Sequence, residues 1–222
     1  MTAAIDPADV AERLAAVRRR VDAVDRPWSH EVSVTAVTKG FGPDALVAAV
    51  AAGCRRIGEN YAQELLSKTD ALEALEPRPA VEFIGRLQSN KVRQLTDVVD
   101  LWSSVDRASL VKEIAKRAPG AEILVQVNST GEADKGGCRP QEVSDLVVRA
   151  RELGLTVRGL MTVGPTGEPP EAARPGFERV RGLVDEHDLE ICSMGMSGDL
   201  EVAVAAGSTR IRVGTALFGS RS

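Results

Sequence analysis

The 222-residue sequence predicts an α/β fold, a closed (β/α)8 TIM barrel preceded by an N-terminal helix, with residues 1–222 as a single domain. Three observations carry that expectation. Short β-branched runs alternate with longer segments of helical period to the end of the chain, the pattern of βα units on a parallel sheet. Eight such runs occur, and no Ser/Gly-rich spacer or long linker divides them. Eight strands in one uninterrupted unit favour closure over an open doubly wound sheet, and single barrels commonly reach this length.

The first element is a helix, because Val10, Leu14, Val17, Val21 and Val24 fall three or four apart and give one apolar stripe before any strand begins. Strands are expected at 32–38, 56–58, 81–85, 99–103, 121–128, 156–163, 190–196 and 209–214. Helical segments are expected at 43–52, 61–75, 89–95, 107–118, 141–153, 171–186 and 198–206. That makes seven helices following strands, so the N-terminal helix is expected to fill the eighth place around the barrel.

Composition excludes several classes of function. Net charge is −4, with 28 basic residues interleaved among 32 acids, and the only basic run, Arg18-Arg19-Arg20, reads as a solvated helix face. Nucleic acid is therefore not an expected partner. Cys54, Cys138 and Cys192 lie far apart without a Cys-x-x-Cys pair, so neither a disulfide framework nor a zinc site is expected, and a reducing cytoplasm fits. No charged start with an apolar run follows Met1, and no stretch reaches the roughly 18 apolar residues of a membrane span, so export and insertion are not expected. His30 and His187 both sit beside charged residues, which leaves no His-based metal site or Ser-His-Asp triad. A monomer is expected.

Residues at the C-terminal ends of barrel strands face the catalytic mouth, so those ends locate the candidate chemistry. Lys39 closes the run 34–38, where partial desolvation would lower its ammonium pKa and free a nucleophile for imine formation with an aldehyde. The alternative is a lysine that merely leaves the sheet for solvent. Ser197 and Gly198 open the helix at 198–206, so Ser197 can cap it while the first-turn amides face an anion. Gly214 and Thr215, just past the eighth strand, add an approachable backbone and a hydroxyl, and strands seven and eight are where this fold commonly holds phosphate. An ordinary cap and an ordinary strand-end turn explain either half alone. Arg212 alternates with Ile211 and Val213 and so points to the opposite face, where it needs an acceptor: a carboxylate such as Glu59, or a ligand atom. The stretch 40–45 also satisfies G-x-G-x-x-G/A, with Glu59 or Glu64 placed for a ribose contact, which makes a dinucleotide fold the runner-up. No G-x-x-x-x-G-K occurs, which excludes a P-loop.

The segments AVTK (36–39), IGENYAQE (57–64), FIGRLQSNK (83–91), VQVN with a following K-x-G (125–128, 135–137), GLM (159–161), SMGMSGD (193–199) and GSTRIRVGTALFG (207–219) together resemble the pyridoxal phosphate homeostasis protein family, relatives of the alanine racemase barrel. The resemblance implies that Lys39 forms the internal aldimine with pyridoxal 5′-phosphate (PLP). It implies further that Ser197, Gly214 and Thr215 hold the phosphate, that Arg212 faces the pyridine nitrogen, and that Asn60 and Met194 line the pocket. The implied function is a PLP carrier in vitamin B6 homeostasis that limits the free aldehyde and passes it to PLP-dependent apo-enzymes, without substantial catalysis of its own. The rival is a PLP-dependent amino-acid racemase, which in the barrel's relatives needs a second domain for which the three residues after Gly219 leave no room; its only tyrosine acid/base candidate is Tyr61. A phosphate-sugar-metabolising barrel is a third possibility. Three positions depart from the family pattern: Thr38 replaces a serine, Gly40-Phe41 replaces a more polar stretch, and Glu82 stands where a histidine is common, which puts any surface built around it in doubt.

Overall fold

The computed structural model describes residues 5–219. Eight parallel strands close into a barrel in sequence order: β1 Ser33–Val37, β2 Arg56–Glu59, β3 Ala80–Phe83, β4 Leu101–Val105, β5 Glu122–Gln126, β6 Thr156–Met161, β7 Ile191–Ser193 and β8 Arg210–Val213. β8 pairs back onto β1 in the register Thr35 to Arg212 and Ala36 to Val213. Closure removes the open sheet edge that a dinucleotide fold would keep, and with it the runner-up reading of the glycines at 40–45.

Helix α1 (Pro7–Asp22) starts where the side chain of Asp6 accepts the Ala8 N–H at 2.9 Å and Pro7 occupies the first turn. It buries Val10, Leu14, Val17 and Val21, each contributing about 1.5–3 kcal/mol by leaving water. The stripe packs against α2 (Pro43–Ala51), α9 (Leu200–Ala205) and a terminal turn of helix, α10 (Thr215–Phe218). The N-terminal helix thus fills the eighth place in the outer ring, as its position in sequence predicts. The tail after β8 adds the short α10, where the sequence predicts a strand-end turn.

Other helices follow the expected segments: α6 (Ala108–Arg117), α7 (Val143–Glu152) and α8 (Arg174–Glu186), with the shorter α5 (Val92–Leu95) behind a 3-10 turn. Two expectations are corrected. The segment 61–75 is two helices, α3 (Ala62–Ser67) and α4 (Thr69–Glu73), broken at Lys68. β7 is only three residues long. Its ladder continues as single bonds, Met194 N–H to Arg210 O at 3.1 Å and Arg212 N–H to Gly195 O at 2.9 Å, but Gly195 at φ 94° turns the chain out of the strand.

The barrel interior is partly ionic. Leu101, Leu124, Met161 and Ile191 form its apolar part. Below the mouth, Arg210 Nη1 on β8 bonds Glu82 Oε1 on β3 at 2.8 Å, and Thr35 Oγ1 donates to the same oxygen at 3.2 Å. β3 and β8 are not neighbours in the sheet, so this bond crosses the interior. Glu82 is fully buried, which places it inside the barrel rather than on any surface. Burial pushes its carboxyl pKa up, against the pull of Arg210.

Replacing Arg210 with Met should strand the Glu82 carboxylate and cost about 3–5 kcal/mol in urea unfolding, whereas Glu82→Leu combined with Arg210→Met should cost much less. Burial also raises the thiol of Cys54 to about 11 and those of Cys138 and Cys192 to about 12. At pH 8 the folded protein should therefore leave a disulfide reagent unreacted, and three thiols should titrate after denaturation.

Candidate functional site

β1 ends at Val37, and the chain then turns through Thr38, Lys39 and Gly40 toward α2. Gly40 at φ 74° supplies the left-handed step, and the Phe41 N–H closes the turn on Thr38 O at 3.2 Å. Lys39 is half-buried at the barrel mouth. The Gly40-Phe41 departure has a packing role: the Phe41 ring lies 5.3 Å from that of Phe218, tilted by 50°, and couples the loop after Lys39 to α10.

On the other side of the β1/β8 seam, Gly214 lies against Val37. A Cβ on Gly214 would come within 3.0 Å of Val37 O and 3.3 Å of Val37 Cβ, so the backbone here needs the absent side chain to approach β1. Thr215 is exposed at the start of α10. The Ala216 N–H donates to Ser197 Oγ at 3.2 Å, which brings the hydroxyl of the β7–α9 loop beside Gly214 and Thr215. Ser197 does not cap α9: the helix begins at Leu200 with Asp199 in the cap position, and Asp199 Oδ1 accepts the Met196 N–H at 2.6 Å instead. The turn 196–199 delays the helix and leaves the Ser197 hydroxyl directed to α10. Arg18 and Arg19 are exposed, as the basic run predicts, and the partly exposed Arg20 donates to Ser197 O at 3.1 Å and pairs with Glu201, tying this loop to α1.

Arg212 is buried in the interior, with Nη1 donating to Ser193 O and Oγ, both at 2.8 Å, and Nη2 to Thr162 O at 2.7 Å. Its partners in these bonds are carbonyl and hydroxyl oxygens, not Glu59. Burial lowers its pKa to about 10, which leaves the guanidinium charged at neutral pH. Asn60 follows β2 and lines a cavity of about 230 Å³ with Gly85, Gln126 and Asn128; its Oδ1 is buried without a hydrogen-bond partner. A wider cleft of about 720 Å³ continues outward past Tyr61, Arg86 and Lys91. Met194 is not brought to this group. Along β7 the alternation sends Ile191 and Ser193 inward, while Met194 packs in the layer between barrel and helices with its Sδ 3.6 Å from Cys192 Sγ.

One buried cluster beside the mouth escapes sequence reasoning. Lys68, only 2 % exposed, donates from Nζ to Thr38 O at 2.9 Å and to Glu59 Oε1 and Glu64 Oε1, both at 2.6 Å. Glu64 Oε1 also accepts the Gly40 N–H at 2.6 Å, and Glu59 Oε1 the Thr38 hydroxyl at 2.6 Å. The two carboxylates that resemble ribose ligands are thus bound to a lysine. Burial raises the Glu59 pKa against the pull of Lys68. A lysine inside a helical segment reads as a solvated charge; the signal available was its i,i+4 spacing from Glu64.

The assembled mouth sets a lysine turn, a cradle of hydroxyl and backbone donors, and an interior guanidinium around one opening. Such a set suits a small molecule carrying both an anionic group and a carbonyl.

The profile of the family "Alanine racemase, N-terminal domain" matches residues 13–222. A pyridoxal phosphate homeostasis protein of Aquifex aeolicus is 40 % identical over 95 % of this chain and 97 % of its own length. The structure of PipY from Synechococcus elongatus with PLP bound has a TM-score of 0.80 at 32 % identity, covering 95 % of this chain and 100 % of that one. Alanine racemase of Clostridium difficile shares the fold at a TM-score of 0.77 and 12 % identity, over 99 % of this chain and 60 % of the racemase.

A Cβ at Gly85 would lie 2.0 Å from Asn60 O. Gly85→Ala should therefore displace Asn60 from the mouth and lower stability in urea unfolding by about 1–3 kcal/mol.

Proposed function

The chain belongs to the pyridoxal phosphate homeostasis protein family, within the wider alanine racemase N-terminal domain family, and from that membership we propose that it binds pyridoxal 5′-phosphate and takes part in the homeostasis of that cofactor. The observation that carries the reading is the adjacency of the Lys39 turn and the Gly214 cradle across the β1/β8 seam, where a Cβ on Gly214 would meet Val37 O at 3.0 Å. One small aldehyde bearing a phosphate is of the right kind to bridge the two.

The residues present fit that group. The hydroxyls of Ser197 and Thr215 and the backbone at Gly214 offer donors to a phosphate beside the last two strands. Asn60, with its buried partnerless Oδ1, lines the cavity beside Gly85, Gln126 and Asn128, and we place it at the edge of the cofactor site. Arg212 would face the ring nitrogen of the bound cofactor, whereas Met194 stays in the layer between barrel and helices. When bound, the cofactor would supply an aldehyde, the kind of electrophile that the amine of a lysine such as Lys39 takes.

Arg212 limits the chemistry open to the bound ring. A guanidinium has five donors and no acceptor, and at a pKa of about 10 it stays charged. It can donate to an unprotonated ring nitrogen but cannot stabilise a protonated one, which leaves the ring a weak electron sink. The function is therefore holding and handing on, to PLP-dependent apo-enzymes, rather than carbanion chemistry. The reading extends to a monomeric cytoplasmic carrier built from this one barrel, in keeping with its buried free thiols. No helix among the described residues is long and apolar enough to cross a membrane.

The protein titrated with PLP should turn yellow, borohydride should fix the label on Lys39, and Lys39→Ala should abolish both. A preparation that stays colourless overturns the reading. Alanine racemisation should run well below roughly 1 per second, and a rate above that would make the protein an enzyme.

A further inference from the structure

Accepting that Lys39 is the anchoring amine, we propose that Lys68 is a positioning residue, which through Glu59 and Glu64 clamps the turn on both sides of Lys39 and so sets where the amine stands in the mouth. The connections are specific to that turn. Lys68 Nζ binds the carbonyl of Thr38, the residue before Lys39, at 2.9 Å. Through Glu64 Oε1, 2.6 Å from both groups, the same ammonium reaches the N–H of Gly40, the residue after it. Through Glu59 Oε1 it reaches the Thr38 hydroxyl.

Three physical arguments favour placement over plain stability. A buried ammonium is costly unless all its donors are satisfied, and here three acceptors match three donors. A buried ionic cluster is commonly matched or exceeded in stability by well-packed apolar side chains, so stability alone does not account for this one. The helix expected over 61–75 also breaks at Lys68, at φ −104° and ψ 1°, to send the side chain inward. Gly40 sits at φ 74°, and the backbone bonds of the turn include Thr38 N–H to Gly58 O at 3.1 Å and Phe41 N–H to Thr38 O at 3.2 Å. Ser197, Gly214 and Thr215 stand outside this hydrogen-bonded cluster, so losing Lys68 should move the amine more than it moves the anion site.

The test uses the full chain carrying Lys68→Met, with Glu64→Ala as a second variant on a partly exposed helix position should the first not fold. Two readouts are taken: amide hydrogen exchange at Gly40 without cofactor, and competition of PLP with inorganic phosphate. Loss of the clamp should speed Gly40 exchange and weaken PLP, read by visible absorption, each by about tenfold, while the inhibition constant of phosphate moves less than twofold. Glu64→Gln, which keeps an oxygen in the same place, should restore both. The proposal is overturned if Gly40 exchange is unchanged, or if PLP and phosphate weaken together as a general loosening would require. A wild-type protein that takes up no PLP would sink the cofactor reading, and Gly40 exchange in the two variants would still decide the clamp.

Discussion

Closure of the sheet between β8 and β1 is the constraint on which the mouth depends. A turn near the start of the chain and a glycine near its end share no local interaction; the register that sets Ala36 opposite Val213 brings them together. A side chain at position 214 would press on Val37 O at 3.0 Å, so the glycine eases the close approach of the two backbones. An open sheet built from the same units would leave these strands at separate places, and no donor set would form. The outer elements reinforce the seam. α1 fills the gap in the helical ring, Arg20 reaches from it to the Ser197 carbonyl, and Phe41 packs on Phe218 in the apolar layer beneath α1.

Inside the barrel, charge is arranged in two tiers. Glu82 and Arg210 neutralise one another below, while Arg212 above is held by carbonyl and hydroxyl oxygens and keeps its charge. Such an arrangement costs desolvation that an apolar filling would avoid. The upper guanidinium gains from it a fixed direction, because its Nη1 and Nη2 are committed to oxygens of Ser193 and Thr162. A donor held this rigidly suits a ring acceptor that must stay unprotonated, which ties the buried polarity of this barrel to the proposed holding role.

The departures from the family pattern have local explanations. Thr38 keeps the hydroxyl a serine would offer and directs it to Glu59. Phe41 exchanges a polar loop for a ring contact that fastens the turn to α10. Glu82 gains its partner from Arg210 on the far side of the barrel, so the unusual carboxylate makes sense only together with a residue distant in sequence.

The strand and helix alternation, the apolar stripe of α1 and the candidacy of Lys39, Ser197, Arg212, Gly214 and Thr215 were legible in the sequence, because period, turn chemistry and strand-end position are local properties. Motif resemblance added the cofactor. Other features were decided only by the tertiary structure. Lys68 reads as a solvated helical charge until Thr38, Glu59 and Glu64 surround it; Ser197 reads as a cap until α9 begins later and Ala216 takes its hydroxyl; Met194 reads as a pocket residue until the β7 alternation turns it outward. Each depends on which strands become neighbours when the barrel closes, and a partner brought from another strand leaves no trace in local spacing.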